Sequence, residues 1–291
     1  MAYQCKRVTT PIKIDGDLTK PEWQRCEKSH RFVDAVGGNP GLYDTRAALM
    51  WDEEALYVGF WCEEPYPAAT LTERDSLLWV ENDLEVFIDG GDSYYELELN
   101  ALNVVYEVFY IWQDAFLKNP LFKEERFDIF KNDAKTFGGN FDRTDAYFWK
   151  GINPRGLRWT YHNWDFPGLE TAVKIDGKIN DPSVISKGWT AEIKFPWKGF
   201  RDLSTGHSLP PKAGEIWKLF LGRYEAMSLN GKPTSVGWSW DPIGVADNHN
   251  PEKFTQIQLS DEIVYTTKKE KYGKIFIENQ KITIIHWYNR R

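Results

Sequence analysis

The chain has 291 residues, a mass of 34.0 kDa, a net charge of −7 and a pI near 5.4, so it can hold one large β domain or two smaller ones. An acidic chain does not provide the positive electrostatic field that binds the phosphates of nucleic acids, so nucleic acid is excluded from the expected partners. The mean hydropathy is −0.55, and no apolar run approaches the roughly 18 residues of a membrane span. The sequence therefore predicts a soluble protein without membrane contact.

The N-terminal residues MAYQCKRVTTPIKIDG lack the apolar region of a signal peptide and continue into a predicted first strand. These residues leave the localisation open. Three cysteines, Cys5, Cys26 and Cys62, show no CxxC spacing. We interpret them as buried thiols, with a Cys5–Cys26 or a Cys26–Cys62 disulfide as the alternatives.

Most of the chain alternates with a period of two, which is typical of strands. The exception near the start is Thr19-Lys20-Pro21-Glu22, whose capping-box spacing and early proline predict a short helix over 19–27. Many short strands separated by Gly, Pro and Asn indicate an all-β fold, an antiparallel β-sandwich of the jelly-roll type with few short helices. The predicted strands are 47–51, 55–62, 83–89, 94–100, 104–112, 171–176, 189–195, 215–224, 235–240 and 254–259.

Residues 113–168 interrupt this alternation with a long aromatic stretch of mixed charge. Loops of this length are usually functional or partly disordered, so we interpret the stretch as an elaborated loop that covers one sheet face. The alternative is a satellite core beneath the loop. We place one domain over 1–260 and a C-terminal extension over 261–291, which is predicted to add a hairpin to the same domain through strands 274–277 and 281–287. The aromatic residues of the long loop include Phe148, Trp149, Trp159, Tyr161, His162, Trp164 and Phe166.

The segment 83–100 places carboxylates on one face of a predicted hairpin around Gly90-Gly91. A two-residue turn would set Glu85 opposite Glu96, whereas a four-residue loop would set it opposite Glu98. Either register pairs like charges, which is unfavourable unless a ligand, a cation or basic side chains compensate. The alternative interpretation is the solvated face of an antiparallel sheet.

Five blocks of sequence occur in one order: IDGDLTKPEW, LMWDEEALYVGFWCEEP, NDLEVFIDGGDSYYELELNALNVVYE, DFPGLETAVKIDGKINDPSVISKGWTAEIKFPWKGF and WSWDPIGVADNHNPEKFTQIQLS. Over about residues 10–260 the chain resembles the family 9 carbohydrate-binding modules, specifically the larger stand-alone family-9-like proteins. The resemblance implies a β-sandwich that binds a polysaccharide or oligosaccharide without cleaving it, in support of glycan degradation. It also favours a secreted or periplasmic location.

The resemblance implies particular site residues. Trp79 resembles the first of two tryptophans that sandwich a terminal sugar, and Glu85 resembles the carboxylate that hydrogen-bonds it. Glu98 stands where family members have an arginine, and His249 lies in the loop where they have the second tryptophan. An aromatic residue of the long loop is expected to replace that missing platform. The predicted sugar-binding set is Trp79, Glu85, Glu98, Asn100, Asn103, Trp159, Tyr161, Trp164 and His249.

Two other functions stay open as alternatives. A glycoside hydrolase would pair Glu85 with Glu96 or Glu98, because such enzymes hold two carboxylates about 5–9.5 Å apart. An outward acidic face is, however, a poor place for the raised pKa of a general acid. A haem-binding electron-transfer module is less favoured, because the chain lacks CxxCH and its internal methionines are typical of core positions. We therefore expect a binding protein rather than an enzyme, and assign no catalytic residue.

Metal binding is considered only for calcium, since the five histidines are too scattered for a zinc site. Calcium takes about six to eight oxygen ligands, and two clusters of acidic and amide side chains lie in predicted turns. The favoured alternative is turn chemistry, in which Asp and Asn bond their own backbone. No other cofactor is predicted, and the oligomeric state stays open. The calcium candidates are Asp89, Asp92, Asp176, Asn180 and Asp181.

Overall fold

The computed structural model describes residues 2–139 and 153–264, together with the strands 273–278 and 281–286. Fourteen strands of the first two ranges form one large sheet, which confirms the all-β fold class. Each of the ten predicted strands listed above corresponds to a strand of the structure, because the period-two pattern is strong wherever one face is buried, but the strands Val33–Asp34, Lys135–Phe137 and Arg158–Tyr161 were not predicted. They are β1 Tyr3–Arg7, β2 Val33–Asp34, β3 Thr45–Trp51, β4 Ala55–Glu63, β5 Asp83–Asp89, β6 Ser93–Leu99, β7 Val105–Trp112, β8 Lys135–Phe137, β9 Arg158–Tyr161, β10 Glu170–Asp176, β11 Gly188–Pro196, β12 Ile216–Leu229, β13 Lys232–Ser239 and β14 Thr255–Ile263.

The main path of the sheet runs β10-β11-β4-β3-β1-β14-β12-β5-β6-β7-β9-β8. β13 pairs with β12, and β2 pairs with β13. The described pairs are antiparallel except for those of β1, which runs parallel to both β3 and β14. The sheet is therefore mixed at β1 and antiparallel in its other described pairs. Residues 8–44 separate β1 from β3, and a connection of this length allows a parallel pair, which a short hairpin does not.

One hydrophobic core joins the two halves of the sheet, as expected for a sandwich. Leu49 and Val58 of β3 and β4 are fully buried, and they belong to the same cluster as Val86 and Leu97 of β5 and β6. Alternate residues of these strands point the other way, as the strand geometry requires. The sheet therefore has two outer faces, and each must be covered or solvated.

The outer face of β3 and β4 is covered by the N-terminal segment with helix α1, Pro21–Arg25. The helix is shorter than predicted, and the expected capping box is absent, since Lys20 occupies the N-cap without a side-chain hydrogen bond. Thr19 instead donates its backbone N–H and its hydroxyl to Asp17 Oδ1, at 2.9 and 2.7 Å. The Thr19 hydroxyl, which would accept a backbone N–H in a capping box, instead donates to Asp17 in the turn before the helix. Trp23 is fully buried and anchors the helix to the sheet.

The stretch that follows β7 is more regular than the predicted loop. It contains helix α2, Gln113–Lys118, two short 3₁₀ helices and the strands β8 and β9. Phe122, Phe127 and Tyr161 belong to the main core, so aromatic residues in the described part of this stretch extend that core instead of forming the separate satellite core of the alternative interpretation. Phe148 and Trp149 lie outside the described residues. The 3₁₀ helices of the chain's described parts are Leu78–Val80, Pro120–Lys123, Glu125–Phe127, Trp197–Leu203 and Pro251–Lys253.

Near the C-terminus β15, Gly273–Glu278, and β16, Lys281–His286, pair with each other in an antiparallel two-stranded sheet. Position 287 of the predicted second strand lies outside the described residues, and the assignment of this hairpin to the same domain stays a prediction. All three cysteines are buried free thiols. Within the described ranges, no helix combines the length and apolar character that crossing a membrane requires.

Candidate functional site: an acidic pocket on the outer face of β5 and β6

A cavity of about 870 Å³ lies on the outer face of β5 and β6. Tyr110 of β7 and Thr160 of β9 line one side, and Tyr224 of β12 and Val236 of β13 line the other. The segment 243–249 and residues 34–36 complete the lining. The outer face of β5 and β6, for which the sequence allowed a solvated face as one interpretation, is therefore covered by segments that are distant in the chain.

The hairpin of β5 and β6 sets the floor of the pocket. Its loop has four residues, Gly90 to Ser93, because Asp89 pairs with Tyr94, and Glu85 consequently lies directly opposite Glu98. Two glycines are needed here. A Cβ on Gly90 would lie 2.6 Å from the Leu203 backbone, and Gly91 has a φ of +78° in the left-handed region. The structure thus selects the second of the two registers that the sequence allowed.

The floor concentrates buried acidic groups. Glu85, Glu96 and Glu98 line the pocket, and Asp83 lies beside them on β5 with no exposed surface. Asn248 donates its amide to Glu85 Oε2 at 2.6 Å, and Tyr110 donates its hydroxyl to Glu96. Both carboxylate oxygens of Asp83 and Oε2 of Glu98 are buried without a hydrogen bond of ordinary geometry.

Burial and mutual repulsion shift these acids toward their neutral forms. The pKa of Asp83 is raised well above its usual value, first by burial and then by the charges of Glu96, Glu225 and Glu81, while the backbone of Tyr224 acts in the opposite direction. The pKa of Glu85 is raised by burial, Asp83 and Glu96, against the lowering effect of its Asn248 hydrogen bond. Burial also raises the pKa of Glu98, followed by Asp83, Glu96 and Glu85.

Trp79 stands at the rim of this pocket. It lies in the 3₁₀ helix Leu78–Val80, where Leu78 is buried and Trp79 keeps 53% of its surface exposed. Glu81 fixes the end of this turn, because its Oε2 accepts both the backbone N–H and the hydroxyl of Thr70 at 2.8 Å. Leu77, also half exposed, lines the pocket beside Trp79. An exposed apolar patch beside convergent polar groups is typical of a ligand-binding groove.

His249 lines the opposite part of the pocket as a buried ring. Its Nδ1 lies 3.1 Å from the Tyr94 hydroxyl, and its ring centroid lies 4.5 Å from that of Phe137. Its backbone N–H donates to Asp247 Oδ1 at 3.0 Å, and its carbonyl accepts from Arg158 at 2.6 Å. Contacts of both its backbone and its imidazole ring therefore fix the position of His249 above the pocket floor.

The three aromatic residues expected from the long loop do not line the pocket. In the antiparallel pair of β7 and β9, Tyr161 is opposite Phe109 and Trp159 is opposite Ile111, and both partners belong to the core face. Tyr161 donates its hydroxyl to the carbonyl of Phe127 at 2.8 Å. The expectation that these strand residues approach Trp79 is wrong, because residues opposite each other share a sheet face.

Trp164 follows β9 and also packs toward the core. Its ring stacks on Phe109 with centroids 4.7 Å apart. The alternate residues Thr160 and His162 are the ones that line the pocket. The long stretch therefore does contribute to the site, through Thr160 and His162 and through all three residues of β8, Lys135–Phe137.

The two predicted asparagines serve the turn between β6 and β7. Asn100 is buried, and its Oδ1 accepts the backbone N–H groups of Leu102 and Val104 at 3.0 Å each. Asn103 has a φ of +64°, in the left-handed region that asparagine tolerates. Neither belongs to the pocket lining. Their spacing in the sequence reflects turn chemistry, which also favours asparagine.

The oxygens of the predicted calcium candidates are engaged in turn hydrogen bonds and ion pairs. Asp89 accepts the backbone N–H of Gly91 at 2.8 Å, and Asp92 accepts from Asn119 at 2.9 Å and from Arg155 at 3.1 Å. Asp181 accepts the backbone N–H of Ser183 at 3.1 Å. Asp176 and Asn180 are used in the same way, by Lys187 at 3.2 Å and by Ala69 at 3.0 Å.

Several pocket residues were not identified from the sequence. Tyr106 and Tyr110 of β7 lie opposite Glu98 and Tyr94 of β6. Applying the same period-two alternation to β7 as to β6 would have placed them on the face of the acids. Tyr224 lies opposite Asp83, a pairing that depends on β12 lying beside β5. No local pattern carries that information.

Neither a family model nor a curated protein matches this chain. Among solved structures, a putative carbohydrate-binding protein from Bacteroides uniformis has a TM-score of 0.52 and 15% identity, over 88% of this chain and 98% of that chain. A family 9 carbohydrate-binding module from Caldicellulosiruptor kristjanssonii, solved in complex with cellotriose and with glucose, gives TM-scores of 0.49 and 0.48. The identities are 16% and 15%, over 89% of this chain and 94% and 96% of those chains. The chain thus resembles the Bacteroides uniformis protein in fold.

Proposed function

We propose that the pocket on β5 and β6 binds a carbohydrate, and that binding rather than cleavage is the protein's function. The observation that carries this proposal is the exposed Trp79 at the rim of a cavity whose floor is polar. The fold, similar to that of a putative carbohydrate-binding protein, supports it. So does the resemblance of the sequence blocks to family 9 modules.

Trp79 offers the flat apolar surface on which one face of a sugar ring can stack. A pyranose presents C–H groups on its faces and hydroxyls around its edge, so it suits an aromatic plane beside hydrogen-bonding groups. Tryptophan provides a large contact area at a small cost in conformational entropy. The half-exposed Leu77 extends the apolar rim.

Glu85, Glu98 and the His249 segment provide the polar side of the site. Carboxylates accept hydrogen bonds from sugar hydroxyls, and such charge-assisted bonds are stronger than neutral ones. Tyr110 and Tyr224, whose side chains line the walls, add hydroxyls and ring edges. A ligand that bonds these acids would also offset part of the cost of burying them.

The first test is a calorimetric screen of xylan, cellulose, pectic and host-type oligosaccharides, followed by Trp79→Ala. We expect this substitution to weaken binding of the selected glycan by more than about 1 kcal/mol, as for a central aromatic anchor, without loss of the native circular dichroism spectrum. Tyr66→Ala is the matched control, since Tyr66 is 51% exposed and does not line the pocket. Equal affinities of the two variants would contradict the role of Trp79.

Glycoside hydrolysis is a second candidate, favoured by the environment of Glu85 and Glu98. The sequence argued against it because an outward face would not raise a pKa, yet both groups are buried and both pKa values are raised. A general acid requires such a shift. Release of reducing sugar from a bound polysaccharide, abolished by Glu85→Gln, would support cleavage. Binding without release would support the carbohydrate-binding function alone.

A further inference from the structure

The pocket floor brings together three carboxylates from two adjacent strands. One oxygen each from Asp83, Glu85 and Glu98 lies within 4.8 Å of the other two. Calcium binds oxygens at about 2.3–2.6 Å, so two of its ligands are separated by no more than about twice that distance. The three oxygens therefore fit around one ion of this size without a change in the backbone.

The second observation concerns the partners of these carboxylates: Glu85 accepts a hydrogen bond from Asn248, whereas Asp83 and Glu98 have oxygens without one in the described structure. Both oxygens of Asp83 and Oε2 of Glu98 are fully buried without a hydrogen bond of ordinary geometry. By contrast Glu192, which is equally buried, accepts from Lys20 and from the Trp23 indole, each at 2.7 Å. Buried carboxylates normally have such partners, because an unpaired buried charge is strongly unfavourable.

The basic side chains that line the pocket do not substitute for a cation on the floor. Lys135 pairs with Asp133 outside the pocket, and burial lowers the pKa of His162, which favours its neutral form. His249 directs Nδ1 to the Tyr94 hydroxyl. None of these groups therefore compensates the charge that Asp83, Glu85 and Glu98 carry when they are ionised.

We propose that Asp83, Glu85 and Glu98 bind one divalent cation, Ca²⁺, at the floor of the pocket. An all-carboxylate donor set of hard oxygens suits calcium, whereas zinc prefers nitrogen and sulfur ligands. The ion lies between β5 and β6 on the side that faces the cavity, so water completes its coordination. Ion binding does not depend on the proposed carbohydrate function, and the two fail independently.

The test uses the full chain after dialysis against EDTA, titrated with CaCl₂ by calorimetry. We expect one equivalent to bind, and Asp83→Asn and Glu98→Gln each to weaken this binding at least tenfold. Asp181→Asn is the control, because Asp181 is an acidic turn residue whose oxygens already bond Ser183 and Lys178. Its calcium affinity should stay within twofold of the wild type.

Folding of each variant is checked by near-ultraviolet circular dichroism. If Asp83→Asn does not fold, the calcium affinity of Glu98→Gln alone tests the proposal. Added CaCl₂ should raise the melting temperature of the wild type, because a ligand that binds only the native state stabilises it, and this rise should be lost in Glu98→Gln. Absence of calcium binding by the wild type would overturn the proposal. So would unchanged affinity in the folded floor variants, whatever the glycan screen shows.

Discussion

Two clusters of buried acids near β12 differ in what surrounds them. In the first, Glu64 and Glu225 flank the guanidinium of Arg223, which donates to Glu64 at 2.9 Å, and Asn82 bridges the two acids at 3.0 and 2.7 Å. In the second, Asp83, Glu85 and Glu98 converge without a basic side chain. The first cluster contains its own cation and is a structural element. The second has its unsatisfied oxygens beside a cavity, which is where function is expected.

The pKa values express the same difference in environment. Burial raises the pKa of Glu225 to about 7, and Arg223 acts against that rise. For Asp83 and Glu98 the neighbouring side-chain charges act in the same direction as burial. Ionising the carboxylates of the pocket floor therefore destabilises the fold, because burial and neighbouring acids both disfavour the charged forms. In the first cluster, Arg223 favours the charged form of Glu225.

The largest expected effect comes from removing the cation of the first cluster. Arg223→Met should lower the free energy of unfolding by about 3–5 kcal/mol, because it leaves two buried carboxylates without their partner. Urea denaturation measures this loss. Arg201→Met is the control, since Arg201 is exposed and pairs with Glu124 at the surface, and it should change stability little. A similarly small loss for Arg223→Met would remove the distinction between the clusters.

In the second cluster, replacing one of the charged groups should raise the free energy of unfolding instead of lowering it. In calcium-free buffer at pH 7, Glu98→Gln should raise the free energy of unfolding by about 1 kcal/mol, because it removes a carboxylate that faces like charges. Glu192→Gln is the matched comparison and should lower stability, since Glu192 bonds Lys20 and Trp23. Destabilisation of both variants to the same extent, in chemical denaturation, would show that Glu98 has a favourable partner.

A pH dependence is also expected within the first cluster. The raised pKa of Glu225 means that the native state holds its proton more tightly than the unfolded chain does. The wild type therefore loses stability relative to Glu225→Gln as the pH rises from about 4.5 to about 7. The difference in unfolding free energy between the two proteins should shift by about 3 kcal/mol across this range, since each pKa unit corresponds to about 1.4 kcal/mol. A constant difference in urea titrations at pH 4.5, 6 and 7.5 would contradict the shift.

Local alternation predicted ten strands that the structure contains, and together with the family resemblance it selected residues that line the candidate pocket, although their role in binding stays a prediction. Glu85 and Glu98 were placed on the polar face of β5 and β6, and Trp79 before them, and all three line the pocket. Alternation failed at β9, where Tyr161 was selected for its chemistry although its register places it on the core face. Aromatic residues are attractive both as core residues and as sugar platforms, so residue type alone cannot separate these roles.

Local sequence patterns were sufficient to predict most of the strands, the hairpin at Gly90-Gly91 and the convergence of acids on one of its faces. These follow from period-two patterning and turn chemistry, which act over a few residues. Only the tertiary structure decided that this face is buried, because Tyr224 and the 243–249 segment reach it from more than a hundred residues away along the chain. Burial changes the acids from a solvated surface into groups with raised pKa values, and burial depends on long-range strand order that no local pattern encodes.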